Sequence, residues 1–213
     1  MPDLAKPPRL FNLANILTLL RIVLVPIVLV LILLMEVEPT QGWIRWEITE
    51  PTRNNLILSI VATVLFVIAS LTDLVDGYVA RKYQLVTNLG KLLDPLADKL
   101  LIMGAMVMLV EKNRLPGWIA VVIIARELAI TSLRSLAGAE GVVISASRLG
   151  KSKTVFQVVS VAAIILYYPF GPINFYLIGI TVFLLAVFLT IWSGVDYTRH
   201  FWLLILGKNQ GRK

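Results

Sequence analysis

The chain has 213 residues, 58% of them hydrophobic and only 15% charged, with a mean hydropathy of +0.83. Soluble domains run at roughly 45–50% apolar and about 25% charged, so this composition excludes a soluble globular enzyme. Cysteine is absent and His200 is the single histidine, which removes disulfides, thiolate nucleophiles and metal clusters built on Cys or His.

Residues 1–15 form a short basic, proline-containing lead expected to lie along a membrane surface. An apolar stretch follows at 16–35, broken only by Arg21, whose long side chain could equally snorkel to lipid heads or meet a substrate. The hydrophilic loop 36–54 is net acidic and carries Trp43 and Trp46, ring types that favour a membrane interface. A second apolar stretch begins at 55–72, a third covers 93–110, and a fourth covers 115–137 with Arg126, Glu127 and Arg134 in its second half. The fifth takes 154–169 and the sixth 172–195, leaving a polar tail at 196–213. Each stretch is near the ~20 residues that cross a bilayer. The expected architecture is therefore an all-α integral membrane protein of six transmembrane helices over 16–195, with short interfacial segments at both ends.

Charge asymmetry predicts the orientation. Loops 36–54, 111–114 and 170–174 are acidic, near neutral and uncharged, whereas Lys6, Arg9, Arg81, Lys82, Lys91, Arg148, Lys151, Lys153, Arg199 and Lys208 fall on the opposite side. The positive-inside bias then puts both termini in the cytoplasm, with the membrane an inner or plasma membrane. The net charge of +7 fits anionic lipid heads and calls for no nucleic acid.

Charges inside spans cost about 2.5–3.5 kcal/mol each on insertion scales, so they persist where a partner, a metal or water receives them. Here they gather at the cytoplasmic ends of the second, third and fourth helices. Asp73 and Asp76 are three residues apart and share a helix face with Gly77 and Ala80, while Asp94 and Asp98 are four apart on the next helix. That helix starts near either Asn88 or Asp94; from the later start Pro95 sits in a tolerant first turn. Four converging carboxylates repel one another unless cations neutralise them. An all-oxygen set selects hard divalent ions, Mg²⁺ or Mn²⁺, and two such ions suit displacement at phosphorus. The competing readings are structural ion pairs with Lys82, Lys91, Lys99 and Arg126, and a cation transporter, which would want its carboxylates nearer mid-membrane.

The spacing Asp73-x2-Asp76-Gly77-x2-Ala80-Arg81-x8-Gly90-x3-Asp94-x3-Asp98 resembles, at every fixed position, the signature of the CDP-alcohol phosphatidyltransferase family, a six-helix membrane fold. Three further stretches resemble the subgroup that uses glycerol 3-phosphate as acceptor: 12–21 (NLANILTLLR), 126–134 (RELAITSLR) and 150–154 (GKSKT). Ala14 departs from the proline usual there. The resemblance implies transfer of a phosphatidyl group from CDP-diacylglycerol to glycerol 3-phosphate with release of CMP, a step of phospholipid biosynthesis. It implies that Asp73 and Asp94 bridge two divalent cations, that Asp76 and Asp98 complete the two sites, and that Asp98 is the general base. It also assigns Asn15, Thr18, Gly77, Arg81, Thr87 and Gly90 to CDP-diacylglycerol, and makes a homodimer the expected assembly. Relatives with inositol phosphate, serine or phosphatidylglycerol as acceptor share the eight-residue signature, so the acceptor is the open point.

An acceptor that carries a phosphate needs cations. Arg126, Arg134, Lys151 and Lys153 are the candidates, because arginine forks and lysine point charges both suit phosphate. The alternative is that Arg126 pairs with Glu127 or an aspartate, and that the lysines merely mark the inner face. Ser145 and Ser147 read as turn residues, Tyr167, Tyr168 and Trp192 as interfacial belts, and His200 with Phe201 and Trp202 as a surface-lying tail.

Overall fold

Among the described residues of the computed structural model, apolar runs with few internal breakers become six α-helices: α1 (Leu13–Leu33), α2 (Arg53–Tyr83), α3 (Asn88–Glu111), α4 (Gly117–Ala139), α5 (Arg148–Leu166) and α6 (Phe175–Gln210). The structure describes residues 13–39, 48, 50–83, 88–139 and 148–210, with side chains described for 19–39, 48, 50–72, 99–138, 154–195, 197–199 and 202. Between α5 and α6 a two-stranded hairpin pairs β1 (Pro169–Phe170) with β2 (Ile173–Asn174), turning through Gly171 at φ 60°. Strands this short have no period to read, and the hairpin takes Pro169 from the end of the fifth apolar stretch and Ile173–Asn174 from the start of the sixth.

Thr52 caps α2 by accepting from the Asn55 N–H (3.3 Å), and Asn174 caps α6 by accepting from the Leu177 N–H (3.0 Å). The third helix starts at Asn88, the earlier of the two starts considered, which places Pro95 beyond the first turn, where its ring denies the helix a backbone donor. α2 runs on past residue 72 to Tyr83, so that Asp73, Asp76, Gly77 and Arg81 share one unbroken helix with the apolar stretch. α6 likewise continues to Gln210, through the stretch read as a polar tail.

α1 packs against α2 and α3; α5 packs against α2, α3 and α6; α4 joins α3 to α6. The core is built from Val28, Ile32, Phe66, Met106, Ile123 and Phe183, all fully buried. Large apolar side chains such as Leu19, Val64, Val121, Phe188 and Trp192 instead face outward. Among the described residues two helical stretches, Arg53–Thr72 and Phe175–Arg199, are long and apolar enough to cross a bilayer, and Leu19–Leu33 and Thr154–Leu166 are shorter apolar stretches.

Tyr167 and Tyr168 are not interfacial belt residues: they are 1% and 2% exposed and enclose Arg114, which is itself fully buried. Arg114 Nη1 donates to the Ile165 carbonyl (2.9 Å) and to Ser59 Oγ (3.1 Å), and Nη2 donates to Glu38 Oε1 (3.2 Å) and Tyr168 Oη (3.2 Å). Its guanidinium also lies 4.4 Å from the Tyr167 ring centroid. The near-neutral connection 111–114 thus supplies the central cation of a buried cluster. The reason is tertiary: Glu38, Ser59, Ile165 and Tyr168 reach Arg114 from three other parts of the chain.

Candidate active site

The backbone places both carboxylate pairs at one end of the bundle. Asp73, Asp76, Gly77 and Arg81 lie in the last third of α2, and Gly90, Asp94 and Asp98 in the first half of α3. A short connection joins these helices, so they run antiparallel, and from its ends ten residues back along α2 reach Asp73 while ten on along α3 reach Asp98. The two pairs therefore share a height. Asn15 and Thr18 lie in the first two turns of α1, and Lys151 and Lys153 in the first two turns of α5. Thr87, Ser145 and Ser147 lie outside the described residues, as do the side chains of the other residues just named. Among the described side chains no group of three or more His, Cys, Asp or Glu gathers.

α4 reaches the same height from the far side. Lys99, next to Asp98 in the chain, donates to Thr131 Oγ1 across the α3–α4 contact, and Thr131 in turn donates to the Glu127 carbonyl (2.7 Å). Arg126 and Arg134 therefore straddle the aspartate level. Arg126 is held firmly: Nε donates to the Thr190 carbonyl (3.1 Å), Nη1 to Glu127 Oε1 (3.0 Å) and Nη2 to Ser193 Oγ (2.6 Å). The pairing with Glu127 weighed at the sequence level is present, but α6 supplies two further partners that no local signal announced. Gly194 allows this approach, since a Cβ there would stand 3.3 Å from Arg126 Nε. Arg134 is exposed and stands 5.9 Å from the Tyr197 ring centroid.

The lysines of α5 come to this level as well. Ile164 and Gly179 meet where antiparallel α5 and α6 pack, and eleven residues back along α5 is Lys153, while eleven on along α6 is Thr190, the partner of Arg126. Helix packing thus brings the backbones of Lys151 and Lys153 to the height of Arg126. A groove of about 860 Å³ runs between α4 and α6, lined by apolar residues with Arg126, Thr198 and Arg199.

Arg21, which the sequence left between lipid heads and substrate, is fully buried inside the chain. The snorkelling reading does not hold. Its stripe-mates Val25, Val28, Ile32 and Met35 are buried as well, at the four-and-three spacing of one helix face.

The model of the CDP-alcohol phosphatidyltransferase family matches residues 11–192 of the chain. The chain is 42% identical over 194 residues to the CDP-diacylglycerol–glycerol-3-phosphate 3-phosphatidyltransferase of Bacillus subtilis (strain 168), covering 91% of this chain and 96% of the relative. It is 35% identical over 187 residues to the protein of the same name from Rickettsia typhi, covering 87% and 94%. For the protein of that name from Haemophilus influenzae the figure is 32% over 194 residues, covering 88% and 91%.

Proposed function

Because the chain belongs to the CDP-alcohol phosphatidyltransferase family, we propose that it transfers the phosphatidyl group of CDP-diacylglycerol to glycerol 3-phosphate, giving phosphatidylglycerophosphate and CMP. The observation that carries the acceptor is the near full-length similarity to relatives bearing that activity in their names. The placement of two carboxylate pairs at one height on adjacent helices supports the chemistry.

The family works with divalent cations, and a set of four carboxylates is the donor chemistry that Mg²⁺ or Mn²⁺ prefers. In this reading Asp73 and Asp94 would be ligands common to both ions, and Asp76 and Asp98 would complete the two sites. When bound, such a pair neutralises a pyrophosphate and polarises the phosphorus under attack. Asp98 receives the proton of the acceptor hydroxyl as that oxygen attacks the diacylglycerol-side phosphorus and CMP departs. Asn15, Thr18, Gly77, Arg81, Thr87 and Gly90 hold the nucleotide end of the donor, where a glycine lets another group approach the backbone closely.

Arg126, Arg134, Lys151 and Lys153 receive the acceptor phosphate. Of the five N–H donors of Arg126 three are engaged, which leaves one on each terminal nitrogen for a phosphate oxygen. Arg134 is exposed and free to turn toward the same point. The six helices are read as six spans, with the aspartate end and both termini cytoplasmic. This places the donor's acyl chains in the bilayer and its pyrophosphate at the inner surface.

The test is CMP release by the purified protein with CDP-diacylglycerol and each acceptor in turn: glycerol 3-phosphate, inositol phosphate, serine and phosphatidylglycerol. Turnover with glycerol 3-phosphate alone is expected, and turnover only with another acceptor would reassign the substrate. Asp98→Asn is expected to lose turnover while keeping its helical content and its size-exclusion profile. Full activity in that variant would remove Asp98 from the reaction.

A further inference from the structure

Arg21 is a guanidinium with no exposed surface on a helix that packs against α2 and α3. Burying such a charge costs several kcal/mol unless opposite charge meets it. Two independent packing contacts fix its height. Ser59 Oγ donates to Met35 Sδ (3.7 Å) where antiparallel α1 and α2 meet. Fourteen residues back along the chain from Met35 is Arg21, and fourteen on from Ser59 is Asp73. Gly104 lies so close to α1 that a Cβ would sit 3.0 Å from Leu29 Cδ1. α1 and α3 run in the same direction, and eight residues before Leu29 and Gly104 are Arg21 and Leu96, the latter between Asp94 and Asp98.

Both contacts bring Arg21 to the level of the aspartates, on the stripe of α1 that faces their two helices. The described acidic residues nearest α1 in the chain, Glu36 and Glu38, lie beyond its far end, and Glu127 is on α4, which packs on α3 and α6. Asp73, Asp76, Asp94 and Asp98 are the acidic positions of α2 and α3 at this height.

We propose that Arg21 is a positioning residue for the carboxylate quartet: a fixed cation behind the four aspartates that keeps them in the arrangement that receives the metal pair. The proposal rests on the two-metal reading given above. An arginine suits the task because its planar fork fixes carboxylate orientation and keeps its charge at any working pH, which the point charge of lysine does only in part.

The experiment is Mn²⁺ binding to the full-length protein in detergent, without substrate, followed by electron paramagnetic resonance, alongside steady-state CMP release. Arg21→Gln is expected to weaken Mn²⁺ binding about tenfold or more, in the range seen when groups behind metal ligands are removed. It should lower kcat while leaving the KM for CDP-diacylglycerol near that of the unsubstituted protein. Arg21→Lys, which keeps the charge and loses the fork, should recover part of both and supplies the same readout should the glutamine variant not fold. Unchanged Mn²⁺ binding would overturn the proposal. Tighter binding would too, since it would make Arg21 a mere competitor of the ions. A raised KM for the donor with Mn²⁺ binding intact would make Arg21 a substrate contact instead. Failure of the unsubstituted protein to bind Mn²⁺ would overturn the two-metal reading itself.

Discussion

Arg114 shows how one buried charge organises the end of the bundle away from the aspartates. Burial lowers its affinity for a proton, and Tyr168, Glu38 and Tyr167 oppose that loss. Burial likewise pushes the Tyr168 phenol well above its usual range, Arg114 pulling the other way. Tyr168 Oη donates to Glu38 Oε1 (2.9 Å) while accepting from Arg114 and from Asn55 Nδ2, so only the protonated phenol satisfies the cluster. Removing one partner of a buried ion pair costs about 3–5 kcal/mol. Arg114→Met, which leaves Glu38 buried without its cation, should therefore lower the unfolding midpoint in detergent far more than Tyr168→Phe, which removes one hydroxyl. Because the folded phenol titrates above its unfolded value of 10.0, its contribution is complete below pH 10 and declines as the pH rises beyond it. Alkaline thermal melts should show that decline in the unsubstituted protein and a shallower one in Tyr168→Phe. The same residues mark a limit of sequence reading. A tyrosine pair beside a proline looks interfacial until its partners, more than fifty positions away in the chain, are known. Tyr167 even adopts φ 64°, a conformation rare for a bulky residue, at the end of α5.

α5 and α6 pack closely at Gly179. A Cβ at Gly179 would lie 2.8 Å from Ile164 Cγ1 and 3.0 Å from the Ile164 backbone nitrogen, whereas one at Gly104 would meet only the tip of the Leu29 side chain. A side-chain tip can swing away and a backbone cannot. Gly179→Ala should destabilise the protein by about 1–3 kcal/mol, in the range of overpacked cores, and Gly104→Ala by less; thermal unfolding of the two variants in detergent compares them. The α5–α6 packing also sets the height of Lys153 against Thr190, so Gly179→Ala should disturb acceptor binding as well as stability, read as a raised KM for glycerol 3-phosphate. Most helices were legible from apolar runs alone. Their ends were less so: α3 takes the earlier of the two starts the sequence allowed, and α6 persists through charged residues. Helical propensity and hydrophobicity are separate quantities, and a charged segment that leaves the apolar layer remains free to stay helical.

At the scale of the whole molecule the arrangement has two chemically different ends, one carrying the aspartates and the basic residues of α4 and α5, the other sealed by the Arg114 cluster. The proposed orientation is open to a clean test because the chain has no native cysteine. Single substitutions Glu50→Cys and Glu111→Cys, both at exposed positions, should react with a membrane-impermeant maleimide added to intact cells, and Lys208→Cys only after permeabilisation. The reverse pattern would invert the topology. Sequence by itself determined the helical class and the family: mean hydropathy and run length predict the helices, and the spacing of Asp73, Asp76, Asp94 and Asp98 carries the family signature. Both are local properties, written into the period of a helix and the gaps of a motif. Only the tertiary structure decided that Arg21 is buried level with those aspartates, that Arg126 is held by Thr190 and Ser193, and that Arg114 lies inside the bundle. What a charge costs, and what it can do, depends on which distant segments surround it, and that is settled when the helices pack.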